Sequence, residues 1–221
     1  MSRKIKFSIG EYYHIYNRGV DKRDIFMDEY DYNRFLLLLK ICNSSLPIDV
    51  REMRKNESSE GFASGDRGET MVDIGAYCLM PNHFHILIRE KIQDGISKFV
   101  QKFSTAYTMY FNKKYERNGS LFQGVFQNKH ADSDEYLKYL YSYIHLNPVK
   151  LIQSDWKSRG IQDINEAYEF LNNYKYSSYL DYLNNNISQN TILNKGSFPE
   201  YFESGEDFKN NLNDWLKFEA I

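Results

Sequence analysis

The sequence predicts an α+β fold: a ferredoxin-like split βαβ core with an antiparallel sheet and helices on one face, extended by C-terminal helices. Three observations carry this. Apolar and aromatic runs alternate between strand-like and helix-like periods in the order strand, helix, strand, strand, helix, strand, with a final helix closing the core. A Pro81-Asn82 pair interrupts one long apolar run, which is turn chemistry joining two strands. Beyond Lys150 the sequence becomes rich in Tyr and Asn, and residues 200–219 lean acidic.

Taken in order, residues 11–18 (EYYHIYNR) alternate as a strand should, and Gly19 ends the run. Asp28 or Asp31 can cap a helix beginning near Tyr30, whose apolar RFLLLLKIC suits packing against a sheet. Residues 43–70 are polar and lack a hydrophobic period, which predicts an exposed insertion. Met71–Met80 and His83–Glu90 read as the two arms of a hairpin, since Pro81 has no N–H to give a ladder. After Gly95, the residues Ile96, Phe99, Val100, Phe103, Tyr107 and Phe111 recur every three or four positions, the stripe of an amphipathic helix. Gly119–Lys129 reads as a loop entering a strand. Ser133 then caps a helix carrying Asp134 and Glu135 in its first turn and limited by Pro148. The predicted organisation is a core over 1–150 containing the insertion at 43–70, and a helical extension over 151–221.

The formal charge of −2 and pI of about 6.2 exclude a globally basic nucleic-acid binder, so any phosphate contact must come from local clusters. Aromatic residues make up 16%, enough to supply stacking surfaces for unpaired bases, although most aromatic residues of any chain are core and surface filler. The two cysteines, Cys42 and Cys78, lie in separate apolar runs, which excludes a four-cysteine zinc site and fits reduced thiols in the cytoplasm. No apolar run approaches the ~20 residues of a membrane span, and the N-terminus lacks a signal-peptide block, so a soluble protein is expected.

Within the second hairpin arm, His83 and His85 flank Phe84. Residues two apart on a strand share a face, with Cα atoms roughly 6 to 7 Å apart, which suits two ligands of one divalent cation. Such a pair also arises by chance, so its meaning depends on what else the chain supplies. On the 134–147 helix, Tyr143 and Asn147 stand four apart on one face, and Tyr136 and Tyr139 share roughly that face. A tyrosine beside a metal is a candidate nucleophile, but a free phenol titrates near ~10 and needs activation or a polarised target. Two histidines and the Asn147 amide could hold the metal that polarises a phosphodiester. The same tyrosines also read as aromatic packing against a sheet, and spacing does not choose among them. His145 points to another face of the helix and reads as structural or exposed. His14 and His130 have no partner at ligand spacing and receive no role.

Five segments in order, YHIYNRGVDKRDIF, YCLMPNHFHILI, GSLFQGVF, YIHLNPVK and YKYSSYLDYL, resemble the HUH single-tyrosine transposases, in their REP-associated tyrosine transposase branch. The resemblance runs from about residue 11 to 183, omitting the insertion. It implies the HUH endonuclease type of sheet, with His83 and His85 as the metal-binding pair, Tyr143 as the nucleophile and Asn147 as the third metal contact, for Mg²⁺ or Mn²⁺. It further implies cleavage and rejoining of single-stranded DNA at hairpin ends through a 5′-phosphotyrosine. Arg18, Lys98, Lys102, Lys113, Lys114, Arg117 and Lys129 are candidate DNA contacts, against the plainer reading of a solvated face. Family members carry Arg where this chain has Val125, so a phosphate contact there is lost or moved. The rival readings are a domesticated hairpin-DNA binder without cleavage, a replication-type HUH nicking enzyme and, weakest, a zinc hydrolase. Monomer and homodimer fit the sequence equally.

Overall fold

The computed structural model describes residues 6–47, 69–183 and 192–216. Most of the insertion expected at 43–70 and the Asn-rich stretch at 184–191 lie outside them. The core follows the expected order: β1 (Tyr12–Arg18), α1 (Glu29–Cys42), β2 (Val72–Met80), β3 (His83–Glu90), α2 (Gly95–Lys114), β4 (Gln127–His130) and α3 (Asp134–His145). The strands form one antiparallel sheet in the order β2-β3-β1-β4, the split βαβ topology.

Local chemistry sets these boundaries. Asp28 caps α1 by accepting from the Asp31 N–H at 3.1 Å, and Ser133 caps α3 by accepting from the Tyr136 N–H at 3.2 Å. Asp94, which precedes α2, has a left-handed backbone and makes no cap; the buried Glu90 carboxylate accepts instead from the N–H groups of Gly95 and Ile96, at 3.0 and 2.7 Å. The Pro81-Asn82 turn is braced by the loop after β1. Pro81 O accepts from Ile25 and Phe26, and Asn82 O accepts from Gly19. Gly19 is required there, because a Cβ would meet the Arg23 carbonyl oxygen at 2.2 Å.

Helices cover both faces of the sheet, where one had been expected. Phe84, Ile86 and Ile88 pack with Phe35, Leu38 and Leu39 of α1 and with Phe99, Phe103 and Tyr107 of α2. On the opposite face Ala76, Cys78, Met80 and Leu87 pack under Leu137, Leu140, Tyr141 and Ile144 of α3. The physical reason lies in the hairpin strands: β2 is buried along its whole length and β3 nearly so, so each face needs its own cover. A register shift at Gly75 allows the close approach of Phe198, whose ring lies 2.7 Å from where a Cβ would stand.

The chain beyond Lys150 is bound tightly to this core. Backbone bonds from the Leu79 N–H to Tyr176 O and from the Ser178 N–H to Tyr77 O lay Tyr176–Ser178 along the outer edge of β2. The helices α4 (Trp156–Arg159), α5 (Ile164–Asn173), α6 (Tyr179–Leu183) and α7 (Gly205–Leu216) enclose a third apolar cluster containing Trp156, Leu171, Tyr179, Phe208 and Leu212. That cluster also takes in Leu146 and Val149, just beyond α3, and α7 touches α3 through a Ser142–Asn211 hydrogen bond.

Candidate functional site

Strand alternation places His83 and His85 on the α3 face while Phe84 is fully buried on the other, against Phe35 and Phe103. The two imidazoles lie with ring centroids 5.0 Å apart and planes nearly perpendicular. Asn82 Oδ1 engages His83 Nδ1 at 2.6 Å, and His14 Nε2 engages His85 Nδ1 at 2.8 Å. Each ring therefore keeps Nε2 as its remaining nitrogen. Burial, followed by Lys150 and Arg18, lowers His83 to about 4. Burial likewise pushes His85 well down, helped by His14 and His83, and lowers His14 to about 4. All three rings are neutral near pH 7, the state in which an imidazole can donate to a metal.

Tyr143 comes from α3 and meets this group edge-on, its ring 5.4 Å from His85 and 5.6 Å from His14. Of the tyrosines on that helix, Tyr136 and Tyr139 lie farther back and Tyr141 is buried among Tyr182, Tyr201 and Phe202, so geometry singles out Tyr143. Burial and the neighbouring Tyr16 raise its pKa, while Asn147 lowers it. The phenol is protonated at neutral pH.

Asn147 is buried one turn on. Its Nδ2 donates to the Tyr143 carbonyl at 2.7 Å, and its Oδ1 accepts from the Lys150 ammonium at 2.9 Å. Lys150 also depresses both His83 and His85, so one cation of this chain stands close to all three expected metal contacts. This is the observation by which a divalent cation fits: two neutral imidazoles, and an amide oxygen already receiving positive charge. Among the described residues no group of three His, Cys, Asp or Glu side chains could hold a metal, so a site here needs the amide.

A cleft of about 540 Å³ opens over the pair, lined by Tyr16, Arg18, Lys22, His83, Tyr143 and Lys150 among others, with no carboxylate in its walls. Of the expected DNA contacts only Arg18 lines it, held by Gln123. Lys98, Lys102, Lys113 and Lys114 ride on α2, which packs on the far face of the sheet, with Arg117 just beyond its end. Lys102 donates to the carbonyls of Ser44 and Leu46 at 2.7 and 2.9 Å, and Lys114 joins Asp28 and Asp31 at 2.8 Å, so both are committed to structure. Arg117 contacts Asn112, and Lys129 covers the Tyr136 ring at 4.2 Å. Val125 is exposed, 60% accessible, where the resemblance expects an arginine. Sequence reasoning missed Lys22 and Lys150, and gave His14 no role. The only early signal for Lys150 was its place at the end of YIHLNPVK.

Residues 62–147 match the family model described as transposase, IS200 like. Among solved structures, the chain is similar to the REP-associated tyrosine transposase bound to a REP hairpin, with 13% identity and a TM-score of 0.51 over 86% of this chain and 89% of that one. It is also similar to a putative transposase from Deinococcus radiodurans, with 15% identity and a TM-score of 0.36 over 65% of this chain and 94% of that one. No match was found among curated proteins. The four-stranded sheet and the helices packed on it share the fold of that REP-associated transposase. Residues 62–147, which carry the histidine pair, Tyr143 and Asn147, resemble the IS200-like transposases, in keeping with the five ordered motifs.

Proposed function

We propose that this protein is an HUH single-tyrosine transposase that cleaves and rejoins single-stranded DNA at hairpin ends, with Tyr143 as the nucleophile. The observation that carries this reading is the approach of the Tyr143 ring to the His83–His85 pair at the wall of a cleft bearing Arg18, Lys22 and Lys150 and no acid. A polyanion is the ligand such walls attract. Hairpin recognition is carried over from the REP-associated transposase, which was solved with its REP hairpin.

His83 and His85 through Nε2, and Asn147 through Oδ1, would hold Mg²⁺ or Mn²⁺ in exchange for the Lys150 contact. The cation, when bound, supplies charge neutralisation at the phosphate. Tyr143 Oη bonds to phosphorus as the bond to the 3′ oxygen breaks; the phenol proton is lost and the departing 3′ oxygen takes one up. The product is a 5′-phosphotyrosine and a free 3′-OH. One phosphodiester replaces another, so the 3′-OH of a strand can reverse the step without an external energy source. Lys150, freed from Asn147, and Arg18 and Lys22 hold the phosphate backbone during both steps.

Labelled single-stranded hairpin DNA incubated with the protein and Mg²⁺ should yield cut strand on a denaturing gel. His83→Ala combined with His85→Ala should abolish both this product and Mn²⁺ binding measured by calorimetry. Cleavage that persists in the double variant would remove the metal pair from the mechanism.

A further inference from the structure

Behind the nucleophile lies a second, smaller cavity of about 150 Å³ whose walls come from α3, α4 and α7. Tyr143 is shared by both cavities, so one of its surroundings is the cationic cleft and another is this aromatic enclosure. Tyr139 and Trp215 meet there with ring centroids 4.6 Å apart, and Tyr139 lies 5.8 Å from Tyr143. Lys157 sets its ammonium 4.0 Å from the Tyr143 ring centre and 5.6 Å from that of Trp156. The Trp156 indole N–H is buried and has no hydrogen-bond partner among the described residues. None of the lining residues is acidic.

We infer that this cavity is a stacking pocket for one unpaired nucleobase next to the scissile phosphate. The inference rests on the proposed DNA-cleaving function. Aromatic faces with a cation at the rim suit a base and the phosphate attached to it, because every base offers a π-face and every nucleotide an anion. The volume matches a single flat ring system rather than a base pair, which favours unpaired DNA as the occupant. Its position matters most. A strand whose phosphate reaches Tyr143 from the cleft has its neighbouring nucleotide beside the one side chain that both cavities share. The C-terminal helix, through Trp215, is thereby part of the substrate site.

The two tryptophans of the chain, Trp156 and Trp215, both line this pocket, so intrinsic emission reports on it directly. The full chain, without divalent cation, is titrated with a short end-labelled oligothymidylate and with an abasic deoxyribose-phosphate oligomer of equal length. Oligomer anisotropy and tryptophan emission are followed together. Oligothymidylate should quench the emission saturably and bind more tightly than the abasic oligomer. Trp215→Ala should bind oligothymidylate about tenfold more weakly and reduce the preference over the abasic oligomer. Trp215→Phe should restore both. Trp215 is 37% exposed at the end of α7, so these variants leave the buried contacts of that helix in place. Saturating anisotropy with unchanged emission, or an undiminished preference in Trp215→Ala, would overturn the pocket while leaving the cleft as a DNA site. Absence of binding by either oligomer would overturn the DNA reading itself. Emission that follows protein concentration alone would assign the pocket to a second copy of the chain and equally overturn the inference.

Discussion

His14 and His85 share a hydrogen bond across neighbouring strands, although 71 positions separate them in sequence. Since His85 spends Nδ1 on this contact, His14 fixes which nitrogen faces the cleft, the role that outer partners of metal-binding histidines commonly play. His14→Ala should therefore weaken Mn²⁺ binding by about 10- to 100-fold in calorimetry, while His14→Gln, which can still hydrogen-bond, should retain most of it. Equal affinity in the alanine variant would reduce His14 to packing. Spacing could not have found this residue. The contact depends on the pairing of β1 with β3, in which Tyr16 stands opposite His85 and brings His14 to the same face one step along. His83 and His85 were legible because they share one strand, and Tyr143 and Asn147 because Asn147 stands one helical turn on, in the 3-10 turn that continues from α3, so period alone predicts a shared face. Their union across elements came from the ordered motifs.

Among the elements, α3 carries the candidate nucleophile, and its first turn is secured by Ser133. Ser133→Ala should lower stability by about 1 kcal/mol in urea unfolding, the usual cost of losing such a cap. A change near zero would mean that packing on the sheet alone orders the helix. Caps of this kind were readable from the sequence, as were the Pro-Asn hairpin and the apolar stripe of α2. The capping of α2 by Glu90 was not readable, since the acid lies in the preceding strand and reaches the helix only through the loop between them. The place of the α2 lysines relative to the cleft was not readable for a related reason. Charge on a helix reveals its solvated side, but not which face of the sheet the helix covers. Here the helix lies across the sheet from Tyr143, and Lys114 is held by Asp28 and Asp31.

At the scale of the whole molecule, neutral histidines buried in several places tie stability to pH. His145 is buried against Ser178 and lowered to about 3 by desolvation, and His14 is lowered to about 4. Because the folded values lie below the unfolded value near ~6.5, their contribution is complete above that pH and is lost as pH falls toward the folded values. For the metal-free protein, urea-unfolding stability should fall between pH 6 and 4 by about 1.4 kcal/mol per unit for each such histidine, and His145→Gln should remove one histidine's share of the slope. A flat profile would contradict the buried neutral state. The extension beyond Lys150 was expected to be an appendage, yet it covers the edge of β2 and shares a cluster with Leu146 and Val149. Such long-range closure leaves little trace in local sequence pattern, because its apolar positions find partners only after the core has folded. The bond between Tyr143 and DNA is the step on which the proposed cleavage depends. It is tested most directly by incubating wild-type and Tyr143→Phe proteins with Mg²⁺ and single-stranded hairpin DNA, then identifying any denaturant-resistant adduct by peptide mass spectrometry. Cleavage through Tyr143 should give a nucleotide-bearing peptide modified at Tyr143 in the wild type and none in the variant; an adduct that persists in Tyr143→Phe, or one mapped to another residue, would contradict that role.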